Sequence, residues 1–273
     1  MARVKHQIII DKIMIPYHNE ERTLRIYLPP HYDDGSNFPV IYMHDAQNLF
    51  DLETSSFGMI WDIHTHLNKY YEATGKRYIV VGLDNHEGAF NRFNEYSPWV
   101  NTELKSNNLI QTINEDVGGL GMKYIDFIAN DLKPSIDKEY KTLGDRDNTF
   151  MIGSSMGGLI SLYAGMAYPE VFSKIGAFST AIWFARKPLF DMMISHENLN
   201  QTKWYLDIGT NETSNDKEET FNDIYLNDTL DYHKAIKEKV SEENLLLVVD
   251  KDAVHNEIAW DRRFYKAFEF LAK

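Results

Sequence analysis

The chain is predicted to fold as an α/β domain built on a mostly parallel central sheet. Three observations predict it. Short apolar runs bounded by turn residues recur along the chain, at 38–43, 78–83, 150–152, 175–179, 204–208 and 245–249, and read as buried strands. Stretches with apolar residues at helical spacing separate these runs nearly throughout, so the strands should be joined by right-handed crossovers. At 273 residues the chain is long enough to bury a sizeable core as one domain, 1–273, and it has no cysteine to staple anything smaller.

Taken in order, residues 7–15 and 23–28 are β-prone and separated by the polar His18-Asn-Glu-Glu21, which predicts an antiparallel hairpin at one sheet edge. The run 38–43 leads straight into His44-Asp45-Ala46-Gln47-Asn48, a polar cluster where open α/β sheets place ligands. Helical spacing over 59–71 (Ile60, Ile63, Leu67, Tyr70) precedes the strand 78–83, which ends in Asp84-Asn-His-Glu87. Residues 88–121 are irregular and aromatic-rich, and so long a loop suggests a wall or lid of a site. Residues 124–136 read as an amphipathic helix with Pro134 near its end. Beyond the strand 150–152 come a helix from about Met156, the strand 175–179, the apolar loop 180–184 and the strand 204–208. A helix over 221–240, the strand 245–249, the loop 250–256 and a terminal helix through Trp260, Phe264, Phe268 and Leu271 complete the chain.

The most specific signal is Gly153-Ser-Ser-Met-Gly157 between a strand and a helix, the context of a G-x-S-x-G nucleophile elbow. A hydroxyl at the tip of so sharp a turn needs small residues on both flanks, which Gly153 and Gly157 supply. Ser155 then stands at a helix N-terminus, where unpaired N–H groups and the helix dipole favour developing negative charge, and the N–H of Met156 becomes one oxyanion donor.

A serine hydroxyl needs a base, and the base needs an orienting acid. Downstream of Ser155 the histidines are His196, His233 and His255, and only His255 lies between the last strand and the last helix. For the acid the order of preference is Glu212, just past a glycine turn, then Asp216 in a charge run, then Asp207 within the strand. The second oxyanion donor is expected from the backbone of Ala46 or Gln47, in the loop after an early strand. His44 and Asp45 can equally be turn-capping residues. Phe57, Trp99, Trp183 and Phe184 are candidates for an aromatic substrate pocket, or plain packing.

The totals exclude several classes. A formal charge of 28 − 41 = −13 argues against nucleic acid and anionic membranes as partners. The lack of cysteine removes thiol nucleophiles and thiolate metal sites. His64-Thr-His66 does not share a helical face and Asp84–Glu87 has no ligand spacing, so neither a metal nor another cofactor is expected. Ile8-Ile9-Ile10 is cut off by Asp11-Lys12, too short for a signal-peptide core, and nowhere do eighteen apolar residues run together, so a cytoplasmic location is expected.

The landmarks are His44-Asp-Ala-Gln-Asn-Leu-Phe50, Val80-Val-Gly-Leu-Asp84, Asn94-Glu-Tyr-Ser-Pro-Trp99, Lys133-Pro-Ser-Ile-Asp137, Gly153-Ser-Ser-Met-Gly-Gly158 and a histidine before the last helix. In this order the chain resembles the Putative esterase family, the enterochelin-esterase and esterase-D-like branch of the α/β hydrolases. The resemblance implies an α/β-hydrolase fold, with a mostly parallel central sheet, helices on both faces and an N-terminal antiparallel hairpin. It implies Ser155 as nucleophile, His255 as base, and an acid in the Gly209–Glu212 turn. Ala46 departs from the usual glycine and Glu212 from the frequent aspartate. The function expected is a serine carboxylesterase acting on a small acyl, acetyl-sugar, hydroxycinnamoyl or siderophore-type ester. The alternatives are an acyltransferase using the same acyl-enzyme and a catalytically silent binding module. The partner expected is a small-molecule ester, with a homo-oligomer left open.

Overall fold

Alternation along the central strands decides the layering. Val40 and Tyr42 point into one apolar cluster, Ile41 and Met43 into another on the opposite face of the sheet, and Met151 and Ile152 divide the same way. Strands buried on both faces carry no polar alternation, as the short apolar runs predicted. The computed structural model describes residues 6–88, 90–107, 110, 113–215, 217, 218 and 220–273.

The sheet comprises β1 (Gln7–Ile15), β2 (Glu20–Leu28), β3 (Val40–Met43), β4 (Ile79–Leu83), β5 (Thr149–Ser154), β6 (Lys174–Phe178), β7 (Lys203–Asn211) and β8 (Leu245–Val254). Its spatial order is β1-β2-β4-β3-β5-β6-β7-β8. The hairpin β1–β2 is antiparallel and joins β4 antiparallel; all other pairings are parallel. Helices α1 (Ile63–Thr74) and α8 (Glu257–Leu271) cover one face. The opposite face is covered by α3 (Gly121–Phe127), α4 (Lys133–Glu139), α5 (Met156–Ala167), α6 (Arg186–Ser195) and α7 (Phe221–Ile236). Among the described residues no helix is long and apolar enough to cross a membrane.

Several expected elements move. α1 begins at Ile63, four residues later than the spacing suggested, and ends where Gly75 adopts φ 74° and donates its N–H to Tyr71 O at 2.8 Å. The helix expected at 124–136 starts at Gly121 and continues to Glu139 through a π turn, Ile128–Leu132. Pro134 has no N–H to offer the carbonyl of Asn130, and the widened turn lies over that missing bond. The irregular segment 88–121 contains a short helix, α2 (Asn91–Glu95), and two-residue strands at Val100–Asn101 and Val117–Gly118. α6 has no counterpart among the expected elements, because only Leu189 and Met193 of it are buried. The last strand does not stop at 249 but resumes after an irregularity and runs to Val254.

Helix α5 sits hard against β6 and β7. A Cβ at Gly165 would lie 2.5 Å from Ile175 Cγ1 and 2.8 Å from Trp204 Cη2. An exposed helical Gly→Ala change gains up to about 1 kcal/mol; here overpacking opposes that gain. Gly165→Ala should therefore destabilise the protein by about 1–3 kcal/mol in urea unfolding, and a variant more stable than the wild type would contradict this packing.

Candidate active site

Strand β5 delivers Ser155 into a turn that only small neighbours permit. Ser155 takes φ 57°, ψ −120°, outside the regions a serine prefers, and is 9 % exposed. The turn is pinned from both sides: Ser155 N donates to Phe178 O at 2.8 Å, and Ser155 O accepts from Ala181 N at 3.0 Å. Behind it a Cβ on Gly153 would lie 2.6 Å from Gly157 O and 2.7 Å from His44 Cδ2. A Cβ on Gly157 would meet nothing closer than 3.4 Å, ordinary contact. The two glycines expected to be equivalent are thus unequal, because the strand side of the elbow is the crowded one.

Strand β8 explains how His255 meets Glu212. The irregularity between Asp250 and Val254 brings Val254 into register with Asn211 of β7, so the next residue on each strand is His255 and Glu212. The loop expected at 250–256 is therefore largely strand. His255 Nδ1 lies 2.5 Å from Glu212 Oε2. Close approach of the two strands requires Gly209, where a Cβ would lie 2.3 Å from Ala253 O.

Glu212 has no exposed surface. Its Oε1 accepts from Ser179 Oγ at 2.5 Å and from Gly209 N at 2.7 Å. Burial alone would raise its pKa, but the hydrogen bonds from His255, Ser179 and Gly209 outweigh it and hold the carboxyl below its ordinary range. Ser179 Oγ in turn accepts from Trp260 Nε1 and Arg263 Nη2, each at 2.8 Å. Asp207 accepts from Arg263 Nε at 2.9 Å, Tyr205 Oη at 2.9 Å and Ser179 N at 2.9 Å. The third-choice acid is thus committed to Arg263, away from His255. Asp216 lies outside the described residues.

Ser155, Met156 and His255 line one cavity of about 300 Å³. Phe57, Trp61, Phe93, Trp183 and Trp260 give it aromatic walls; Asp45, Asn48, Arg92 and Glu257 give it polar ones. Phe57 is 70 % exposed at the rim. Trp99 and Phe184 are not among the lining residues: Trp99 packs edge-on to Tyr163, and Phe184 is buried behind Phe93, on which it stacks. Arg92, Phe93 and Ile110 come from the aromatic-rich segment expected to form a wall.

Met156 is the first residue of α5, so its N–H has no intrahelical acceptor. Ala46 and Gln47 open a 3₁₀ turn, Ala46–Asn48, after Asp45 at φ 54°. Asp45 and Asn48, rather than Ala46 or Gln47, are the lining residues there. Ala46 is fully buried, with its Cβ against Gly82, and the Gln47 side chain bonds Ser56 Oγ and Asn85 N. His44 sits under the elbow with Nδ1 2.8 Å from Tyr124 Oη, and burial drives its pKa to about 3, so it is a neutral packing residue. Asp45 is gripped by Arg92 through two bonds of 2.7 Å.

Sequence reasoning passed over Arg92, Tyr225, Ser179, Arg263 and Glu257. Tyr225 is fully buried, its ring 4.9 Å from that of His255 and its hydroxyl 2.7 Å from Ser214 Oγ, beside Ser155 and Trp183. Arg263 had a signal: a cation three residues from Trp260 and one from Phe264 on an apolar helix face needs a buried partner. The others had none, since their partners lie far away along the chain.

A family model described as "Putative esterase" matches residues 15–271. The chain is 28 % identical over 252 residues to the uncharacterized protein YbbA of Bacillus subtilis, covering 92 % of each. Among solved structures it is similar to an IroE-like serine hydrolase from Shewanella oneidensis, with TM-score 0.76, 21 % identity, and coverage of 98 % of this chain and 80 % of that one. It is also similar to a ferulic acid esterase, with TM-score 0.72, 15 % identity and 98 % of both chains covered. These structural likenesses establish the α/β-hydrolase fold.

The site generates two expectations. Gly153→Ala should cost about 1–3 kcal/mol of stability, whereas Gly157→Ala should stay within about 1 kcal/mol of wild type; equal losses would contradict the asymmetry. Glu257 is buried in the cavity, and burial, with Asp45 nearby, pushes its carboxyl from 4.5 up to about 7. Between those pH values the folded state holds a proton that the unfolded chain has released, so stability falls as pH rises from 4.5 to 7. Glu257→Gln should remove the part of the decline due to Glu257, leaving that of Asp207, whose carboxyl burial raises from 3.8 to about 6, and parallel stability curves for variant and wild type would refute the shift.

Proposed function

The chain belongs to the Putative esterase family of carboxylic ester hydrolases, and from that premise we propose that it cleaves its ester through an acyl-enzyme on Ser155. The observation that carries this reading is the 2.5 Å contact of a fully buried Glu212 with His255, in a cavity whose floor is the Ser155 elbow. With Nδ1 committed to Glu212, His255 has only Nε2 to face Ser155.

Ser155 Oγ attacks the ester carbonyl and passes its proton to His255 Nε2. The carbonyl oxygen becomes an oxyanion at the N–H of Met156, with the backbone of Ala46 or Gln47 as the expected second donor. Glu212 stabilises the resulting imidazolium and its tautomer. Collapse breaks the bond to the alcohol, which leaves with the proton from His255. Water then attacks the acyl-enzyme by the same steps, releasing the acid and restoring the Ser155 hydroxyl.

The aromatic walls and the volume of about 300 Å³ support a compact acyl group, with a planar hydroxycinnamoyl group favoured over a bulky siderophore. Trp183 and Phe57 are the residues to contact the acyl group.

A fluorophosphonate probe should label the wild type and leave Ser155→Ala unlabelled; persistent labelling would place the nucleophile elsewhere. Glu212→Gln should fold and lose about 10⁴ in kcat. On nitrophenyl esters, activity should fall once the acyl chain outgrows the cavity, with hydroxycinnamates retained. An added polyol that diverts most of the product into a new ester would identify a transferase instead.

A further inference from the structure

Three residues distant in sequence converge beside α2. His18 stands in the turn of the β1–β2 hairpin, His86 follows β4, and Glu95 ends α2. One ligand atom from each lies within 4.8 Å of the other two. We propose that His18, His86 and Glu95 form a binding site for a divalent transition-metal ion of the zinc class.

One buried imidazole nitrogen there, His86 Nδ1, lacks a hydrogen-bond partner among the described residues and would otherwise be a costly orphan. His86 is also oriented as a ligand: its Nε2 lies 3.0 Å from Glu20 Oε2, so the carboxylate holds the proton on Nε2 and leaves the Nδ1 lone pair free. This is the carboxylate–histidine pairing that supports bound metals. His18 Nε2 pairs with Glu95 Oε1 at 3.1 Å. Two ligands each about 2.0–2.1 Å from a tetrahedral zinc are about 3.3 Å apart, so this edge of the site is already near its metal-bound length.

Glu95 is held in place by its neighbours. Arg22 binds Glu95 through both guanidinium nitrogens, at 2.9 and 3.1 Å, and Tyr17 Oη donates to Glu95 at 2.7 Å. Arg22 neutralises one carboxylate, and that of Glu20 remains. A surface pocket lined by Glu20, Arg22, Asp84 and His86 opens beside the cluster and provides an entry path. Nothing in the sequence spacing announces the site, because its ligands come from a turn, a strand end and a helix end.

The test uses full-length protein without a histidine tag, stripped with a chelator and titrated with zinc chloride by calorimetry. One equivalent should bind the wild type, and unfolding temperature should rise with zinc concentration. His18→Ala/His86→Ala should lose that equivalent. Glu20→Gln should weaken it by about 10–100-fold. Cobalt(II) bound to wild type should show the visible absorption of a four-coordinate site, absent from the double variant. No binding to the wild type would overturn the proposal, as would undiminished binding in the double variant, which would put the ion elsewhere, for instance at His6 and His64, whose rings lie 5.1 Å apart beyond the opposite end of β1.

Discussion

The site depends on one buried carboxylate being held by more donors than its burial costs. Glu212 has no contact with solvent, and a charge so placed is stable only when each oxygen is occupied. Ser179 and Gly209 occupy one oxygen, which leaves the other for His255 alone. Ser179 acts as the junction: it donates to Glu212 while receiving Trp260 and Arg263, and Arg263 is in turn balanced by Asp207. Three strand ends and the last helix are thereby tied to the orientation of a single imidazole.

The same economy of space governs the elbow. Ser155 is held at a positive φ by backbone bonds from β6 and the loop beyond it, and the crowding falls on Gly153 through His44 and Gly157. His44 is a neutral support with its imidazole bonded to Tyr124, and Asp45 is bound up with Arg92. The polar cluster after β3 therefore shapes the cavity more than it supplies free chemistry.

Much of the fold was legible because buried parallel strands announce themselves as short apolar runs, and all six such runs correspond to strands of the sheet. The errors fall where local pattern and tertiary context part. The strand through Val254 is interrupted by polar residues whose side chains face outward at an edge, so no apolar run marks it. Helix α6 buries too few residues to show a stripe, and Trp99 and Phe184 proved to be packing aromatics. Aromatic identity signals burial in general and does not say which cavity a ring faces.

By itself the sequence determined the alternation of strand and helix, the sharp turn at Ser155 and the chain order of serine, acid and histidine. These are local or ordinal properties, encoded in short-range sterics and polarity. Only the tertiary structure decided that β8 slips into register with β7 so that Glu212 meets His255, and that Asp207 turns to Arg263 instead. Only it brought Arg92 to Asp45, and His18, His86 and Glu95 to one another. Such pairings join residues tens of positions apart, and the register of strands and the packing of helices set their distances.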